Sequence, residues 1–442
     1  MRVEHDRISG IFTHSVKHFV EKHFVNIHTV QFSHILETND LENLHYFLSH
    51  TAFVISHKNE KVKTLLEVLW YLPLNSPIII VTNCPESERD DLRNELKMQL
   101  AHHQRIYLVH QKEETIARLF ETYGVYHILG QDGKVIDGKG EGMYIGTLCA
   151  YQLCYPRWII FYDADNFVPS ALLEYTLAMS RLFMSTPFPV LAPERETTST
   201  VMLSAAKHLD ADLHNVRICW SSKPELNNGH LDTRIMGRCT RVVSPLFNDL
   251  LEGWFGICDY AISSSNAGEQ GMTVKTAISL RFSSGFSVET FQLLDLLFHA
   301  HGRKGSADGI ILQQYLSKSP HFHEKKGDEH IKKMIEGSLG SFFHFEESLP
   351  DIVKRKLRMV YNEMSLDLIF PALYPPLQDL PLERIEGFMH QYSLYTEADC
   401  QEEQCHPERS EGSRETGYQE QCHPERSEGS RETDCRDILV VE

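Results

Sequence analysis

Between Thr51 and Arg181, short runs of β-branched and aromatic residues alternate with longer, charged, amphipathic segments. Few folds accept that rhythm. Ala52–Ser56 (AFVIS), Pro77–Thr82 (PIIIVT), Arg105–Val109 (RIYLV) and Trp158–Tyr162 (WIIFY) have the length and composition of buried strands. Glu60–Leu72, Glu86–Gln99, Met143–Tyr155 and Pro169–Arg181 carry helical spacing, with Pro169 suited to a first turn. Strands that alternate with helices predict a mainly parallel sheet in an α/β fold. In open sheets of this kind, ligands sit beyond the carboxyl ends of the strands.

Composition narrows the function classes. With 442 residues and 42% hydrophobic content the chain can bury a sizeable core, which excludes disorder along its whole length. No run reaches the ~18–20 apolar residues that a spanning helix needs. A balance of 43 basic against 61 acidic residues, net −18, argues against a protein that coats nucleic acid. One local basic pocket for an anionic substrate is still compatible with that total. The ten cysteines contain no CxxC pair and the start of the chain is polar, so a cytoplasmic protein with free thiols is expected.

Three segments stand apart. QCHPERSEGSRET occurs at 404–416 and again at 421–433, and residues 399–442 hold thirteen acids against five arginines. Such a segment cannot offset its ordering entropy, so 399–442 is expected to be a disordered repeat tail. Residues 187–213 interrupt the pattern and read as an insertion in a surface excursion. Residues 1–47 hold seven histidines at spacings that match no ligand motif, and read as an N-terminal extension. This leaves 48–345 as the main domain and 346–398 as a C-terminal helical segment.

Four motifs carry chemistry. Asp163-Ala-Asp165-Asn166 follows WIIFY directly, and two carboxylates at a strand's carboxyl end suit Mg²⁺ or Mn²⁺ together with substrate phosphates. The plain alternative is an acidic turn that caps the next helix. Asp137-Gly-Lys139-Gly140-Glu141-Gly-Met143 offers close backbone approach and a point charge for phosphate, or simply a tight loop before a helix. Asn266-Ala267-Gly268-Glu269-Gln270 and Ser283-Ser-Gly-Phe-Ser-Val-Glu289 form polar segments able to bond sugar hydroxyls. Pro320-His321-Phe322-His323-Glu324 supplies a histidine to complete a metal site, or is a surface loop. Arg217 lies in an apolar stretch and needs a partner, a protein carboxylate by default or a substrate anion; Arg238 and Arg241 are further basic candidates.

Taken in order, HKNE (57–60), IIIVTNCP (78–85), VHQK (109–112), DGKGEGM (137–143), DADN (163–166), VRICW (216–220), NAGEQGMT (266–273), SSGFSVE (283–289) and PHFHEKKGDEH (320–330) resemble the mannosyl-3-phosphoglycerate synthase family. The resemblance implies a GT-A glycosyltransferase fold, with a Rossmann-like nucleotide half and an acceptor half. It implies transfer of mannose from GDP-mannose to the 2-hydroxyl of 3-phosphoglycerate, with retention and a divalent cation. A related transferase such as a glucosyl-3-phosphoglycerate synthase, and a non-catalytic nucleotide-sugar-binding protein, are the competing readings. By resemblance, Asn59, Glu60, Gln111, Lys112, Lys139, Gly140 and Glu141 line the GDP site. Asp163 and Asp165 hold the metal-diphosphate, with His321 or His323 as a further ligand. Arg217 meets the acceptor, with Arg238 kept as the further substrate-binding candidate named above; Asn266, Ala267, Gly268 and Glu269 approach the mannose, and Glu269 is a candidate catalytic carboxylate. A homodimer is compatible with this reading. The chain has no DxDx[TV] phosphatase motif, so a separate phosphatase is expected to release mannosylglycerate.

Overall fold

The computed structural model describes residues 2–8, 11–20, 23–31, 41–58, 60–101, 105–184, 213–220, 225–227, 230–232, 237–258, 261–302, 310–322 and 327–395. Asn59, His323, most of the 187–213 insertion and the repeat tail lie outside them.

The four apolar runs become strands. They are β4 (Thr51–His57), β5 (Ile78–Thr82), β6 (Ile106–His110) and β7 (Trp158–Asp163). Ahead of them lie β1 (Arg2–Ile8), β2 (Ile11–Val20) and β3 (His23–Gln31), which the histidine-rich composition did not announce. Later strands are β8 (Leu213–Cys219), the short pair β9 (Glu225–Asn227) and β10 (His230–Asp232), β11 (Gln270–Thr273), β12 (Phe282–Ser283), β13 (Ile310–Leu316) and β14 (Leu373–Tyr374). Ten of these strands form one sheet in the order β1-β2-β3-β13-β8-β11-β7-β4-β5-β6. From β3 to β6 every strand runs the same way except β11, which is antiparallel to both β7 and β8. Gln270 is thereby level with Phe161 on one side and Arg217 on the other.

Alternation along the strands loads both faces. Phe53, Ile55, Ile78, Ile80, Ile160 and Tyr162 face one core, with helices α1 (Leu41–Ser49), α2 (Val62–Leu69), α3 (Arg89–Gln99) and α6 (Ala171–Met184). Ala52, Val54, Ile79, Val81, Ile159 and Phe161 face the other. That side carries α4 (Glu114–Thr122), α5 (Lys139–Gln152), α7 (Arg238–Phe255), α8 (Val274–Ser279), α9 (Val288–Gly302), α10 (Asp328–Phe343) and α11 (Asp351–Met364). A two-sided parallel sheet explains why the runs read as continuously apolar. None of the described helices is long and apolar enough to cross a membrane. All six described cysteines are free thiols.

Among the described residues of 346–398, the α-helix is confined to Asp351–Met364, and later helical structure is limited to the single turns Leu377–Asp379 and His390–Tyr392. Ser365 adopts φ 50°, and prolines 371, 375, 376 and 381 keep the chain irregular afterwards. This strap is nonetheless fastened along its length. Tyr144 Oη donates to Pro375 O (2.8 Å), Gln152 joins Glu383 O and Ile385 N, and Leu394 N donates to Ile106 O (2.8 Å) at the sheet edge. Tyr374, Leu377, Tyr392 and Leu394 are buried.

Met1–Thr396 forms one compact unit. Ending the chain after Ala398 is therefore expected to leave the thermal midpoint within about 2 °C of the full chain. Ending it after Met364 removes several buried aromatic and aliphatic side chains, at about 2–5 kcal/mol each, and is expected to abolish cooperative unfolding by calorimetry.

Candidate active site

The run read as a glycine loop before a helix is itself the start of the helix. α5 begins at Lys139, four residues earlier than the apolar spacing suggests. Glycines hide a helix because they are poor helix formers, yet here they permit contact. A Cβ on Gly140 would stand 1.9 Å from Ser283 O, and one on Gly146 would stand 2.3 Å from Val54 Cγ1. The first turn is thus pressed between the sheet and the Ser283–Glu289 segment.

Lys139 is the meeting point of four motifs. Its Nζ lies 2.5 Å from Asp163 Oδ1 at the end of β7 and 2.7 Å from Glu289 Oε1 at the start of α9. A Cβ on Gly268 would lie 2.3 Å from Asp163 Oδ2 and 2.9 Å from Nζ, so only glycine lets this loop close over the pair. Burial opposes the ammonium charge, but the two carboxylates win and hold Lys139 well above its ordinary value. Glu289 is displaced upward, first by burial and also by Asp163, against the pull of Lys139. The ion-pair role of Glu289 lies beyond the sugar-bonding role expected of its segment; its sequence signal is an acid among small and apolar side chains.

The donor side is partly as expected. Gln111 is buried, and its Nε2 donates to Ile136 O (2.5 Å). Lys112 Nζ lies 2.9 Å from Asp137, which Lys58 also approaches at 3.7 Å. Lys112 holds the Asp137 carboxyl below its usual range, despite some burial. Sequence reasoning passed over Lys58 and Asp137, although both stand inside the quoted motifs. Glu60 accepts from Lys58 N (2.7 Å) and borders a cavity of about 310 Å³ with His57, Lys58, Cys84, Asp91 and Leu92, beyond the carboxyl ends of β4 and β5. Glu141 departs from the expectation: it is fully buried and takes its bonds from Tyr374 Oη (2.5 Å) and Gly285 N (3.1 Å).

The acceptor-side assignments need correction. Arg217 has no exposed surface. Nε donates to Ser264 O (2.9 Å), Nη1 to Gln270 Oε1 (2.8 Å), and Nη2 to Ser265 O (3.3 Å) and Glu289 O (3.1 Å). Burial lowers its pKa to about 10. Its direct hydrogen-bond partners are carbonyls and an amide, not the carboxylate expected by default and not a substrate. Arg217 pins β8, the Asn266 loop and the first turn of α9 together. Asn266 likewise spends its amide on Thr290 Oγ1 (2.8 Å), Ser338 Oγ (2.9 Å) and Ser265 Oγ (2.9 Å), and Ala267 is buried, so only the Gly268 edge of this loop reaches the charged cluster. Arg238 is not among these corrections, since its pair with Asp328 at 2.6 Å is a surface contact with an almost wholly exposed carboxylate.

Glu269 and His321 are both buried, with Glu269 Oε1 at 3.3 Å from His321 Nδ1 and the imidazole stacked on Trp220. Phe167 N donates to Phe322 O (2.7 Å), which fastens the His321 segment beside the DADN turn. Asn166 Oδ1 caps that turn at Val168 N (2.9 Å). Among the described residues no group of three or more His, Cys, Asp or Glu side chains converges on one point. Asp163 and Asp165 still fit a hard divalent cation, which typically takes one or two carboxylates and fills its other positions with phosphate and water. His321 turns its Nδ1 to Glu269, and His323 lies outside the described residues.

Removing Arg217 leaves several buried acceptors without a donor. Arg217→Ala is expected to cost at least about 3 kcal/mol, read by denaturant unfolding. A stability change within ~0.5 kcal/mol would contradict the pinning role. Lys139→Met leaves Asp163 and Glu289 without their cation, at about 3–5 kcal/mol. An acid whose folded pKa is raised loses stability as pH climbs above its unfolded value of 4.5. The gap in unfolding midpoint between wild type and Lys139→Met is therefore expected to widen from about pH 4.5 to 7.5; a constant gap would contradict the cluster.

Comparison with known proteins gives one consistent answer. Residues 5–389 match the family model described as mannosyl-3-phosphoglycerate synthase (osmo_MPGsynth). The mannosyl-3-phosphoglycerate synthase of Pyrococcus furiosus is 29% identical over 330 residues, covering 72% of this chain and 77% of that protein. That of Aeropyrum pernix is 29% identical over 357 residues, covering 78% and 85%. Among solved structures, mannosyl-3-phosphoglycerate synthase from Rubrobacter xylanophilus superposes with a TM-score of 0.42 at 16% identity, over 79% of this chain and 96% of that one. Glucosyl-3-phosphoglycerate synthase from Mycobacterium tuberculosis, in complex with Mn²⁺, UDP-glucose and glycerol 3-phosphate, gives 0.42 at 14% identity over 77% and 96%. These structural likenesses are weaker than the sequence relation. The match spans most of the length and includes every motif around Lys139, and the chain belongs to the mannosyl-3-phosphoglycerate synthase family.

Proposed function

We propose that the chain transfers mannose from GDP-mannose to the 2-hydroxyl of 3-phosphoglycerate, giving mannosyl-3-phosphoglycerate and GDP with retention at the anomeric carbon. The observation that carries this reading is the convergence of the GKGEGM, DADN, NAGE and SVE segments on one cation, Lys139. The nucleotide lies along the carboxyl ends of β4 to β7, over the Lys58, Gln111 and Lys112 region.

In the transfer, the bond from anomeric carbon to phosphate oxygen breaks and its electron pair goes to the departing diphosphate. The acceptor hydroxyl oxygen attacks the same face, and its proton passes to the departing phosphate oxygen. Lys139 stands where negative charge builds, and its ammonium can share a hydrogen bond with the departing phosphate oxygen while Asp163 and Glu289 hold it in place. Asp165 and Asp163 are the carboxylates that would hold a divalent cation, which would add Lewis-acid neutralisation of the same diphosphate. Glu269 is fully buried and faces His321, which favours this route over a covalent glutamyl intermediate. The product retains its phosphate, so a separate phosphatase completes the route to mannosylglycerate.

The test is a matrix of donors and acceptors. GDP-mannose, GDP-glucose and UDP-glucose are each offered with and without 3-phosphoglycerate and Mg²⁺, and nucleoside diphosphate release is measured. Release from GDP-mannose only when acceptor and metal are present is expected. Preference for UDP-glucose would move the chain to the glucosyl reading, and no release from any pair would overturn the enzyme reading. Asp165→Ala is expected to lower kcat at least about 10²-fold and to remove metal dependence; unchanged turnover would remove Asp165 from the site.

A further inference from the structure

Glu141 is a fully buried acid that the transfer does not use, and it lies two residues from Lys139. Its surroundings are built around it. A Cβ on Gly138 would stand 1.9 Å from Glu141 Oε2, so glycine alone lets this carboxylate fold back beside the start of its own helix. Gly285, at φ +63°, turns its N–H onto Oε2 at 3.1 Å. Tyr374, on the C-terminal strap, donates its hydroxyl to Oε1 at 2.5 Å. The tyrosine is fully buried, stacks on Tyr144 and His127, and pairs through β14 with Phe282 of β12.

One carboxylate therefore ties three segments together. The first carries Lys139, the second leads four residues on to Glu289, and the third is the strap. Lys139 and Glu289 are the two halves of the 2.7 Å contact at the centre of the site. We infer that Tyr374 and Glu141 are positioning residues, which hold Lys139 and Glu289 in register so that docking of the C-terminal strap completes the catalytic geometry. This inference rests on the role of Lys139 at the departing diphosphate given above. Both side chains are fully buried and bonded within the protein. Their effect passes through Lys139, and small displacements of a positioned charge are costly, up to about 10²-fold per ångström.

A double-mutant cycle separates this role from simple support of the fold. Tyr374→Phe keeps the ring and its stacking and removes only the donor. It is expected to lower kcat about tenfold with both KM values within about threefold of wild type. In a Lys139→Ala background the same change is expected to alter kcat less than about twofold. Multiplicative losses, or an unchanged kcat for the single variant, would overturn the inference. If Tyr374→Phe does not fold, Glu141→Gln enters the same cycle. If wild type transfers no mannose, the proposed function fails while the coupling is still decided: shifts in the denaturation midpoints of the four proteins must be non-additive, and additive shifts would overturn it.

Discussion

The ammonium of Lys139 between Asp163 and Glu289 is the contact on which the rest of the arrangement depends. Each of the three residues comes from a different element, and none can be buried without the others. A desolvated lysine is expensive on its own, and two neighbouring carboxylates are worse. Together they fix the approach of α5, the end of β7 and the start of α9. The glycines at 140 and 268 follow from this, since any side chain there would force those elements apart.

The same electrostatics account for the division of labour around the site. Lysines 58 and 112 share Asp137 near the surface, where water reaches the pairs and each contact is weak. Lys139 is placed deeper, and its charge stays. Arg217 sits deeper still, and the four acceptors of its guanidinium are all neutral. Four basic side chains at three depths thus have three situations, a hydrated pair, a fixed charge and a rivet.

Much of this was legible in the chain. Strand runs AFVIS, IIIVT and WIIFY come out within a residue or two, because two-sided burial leaves an apolar signature that needs no partner to be read. The DADN turn falls where a strand's carboxyl end places it. Arg217 was correctly singled out as a buried charge in need of partners, but sequence has no means of telling a carbonyl cage from a substrate anion. The start of α5 was misread because glycine signals a loop locally, whereas the fold uses it for close packing against Ser283. β1 to β3 were missed because their polar, histidine-rich composition lacks the alternation that one buried face imposes. The Tyr374 contact spans more than 230 residues and leaves no local trace.

The reversed strand β11 also decides which connections reach the carboxyl edge of the sheet. In a parallel sheet only the connections that follow strands reach the carboxyl edge. Because β11 runs backwards, the Asn266–Glu269 connection that precedes it arrives at that edge as well, which lets one more segment reach Asp163. Residues 185–212 join the end of α6 at Met184 to the start of β8 at Leu213, and β8 runs parallel to β7. Both anchor points therefore lie on the amino edge. The two described ends of that connection are thus held at the edge opposite the one that carries Asp163 and Gly268.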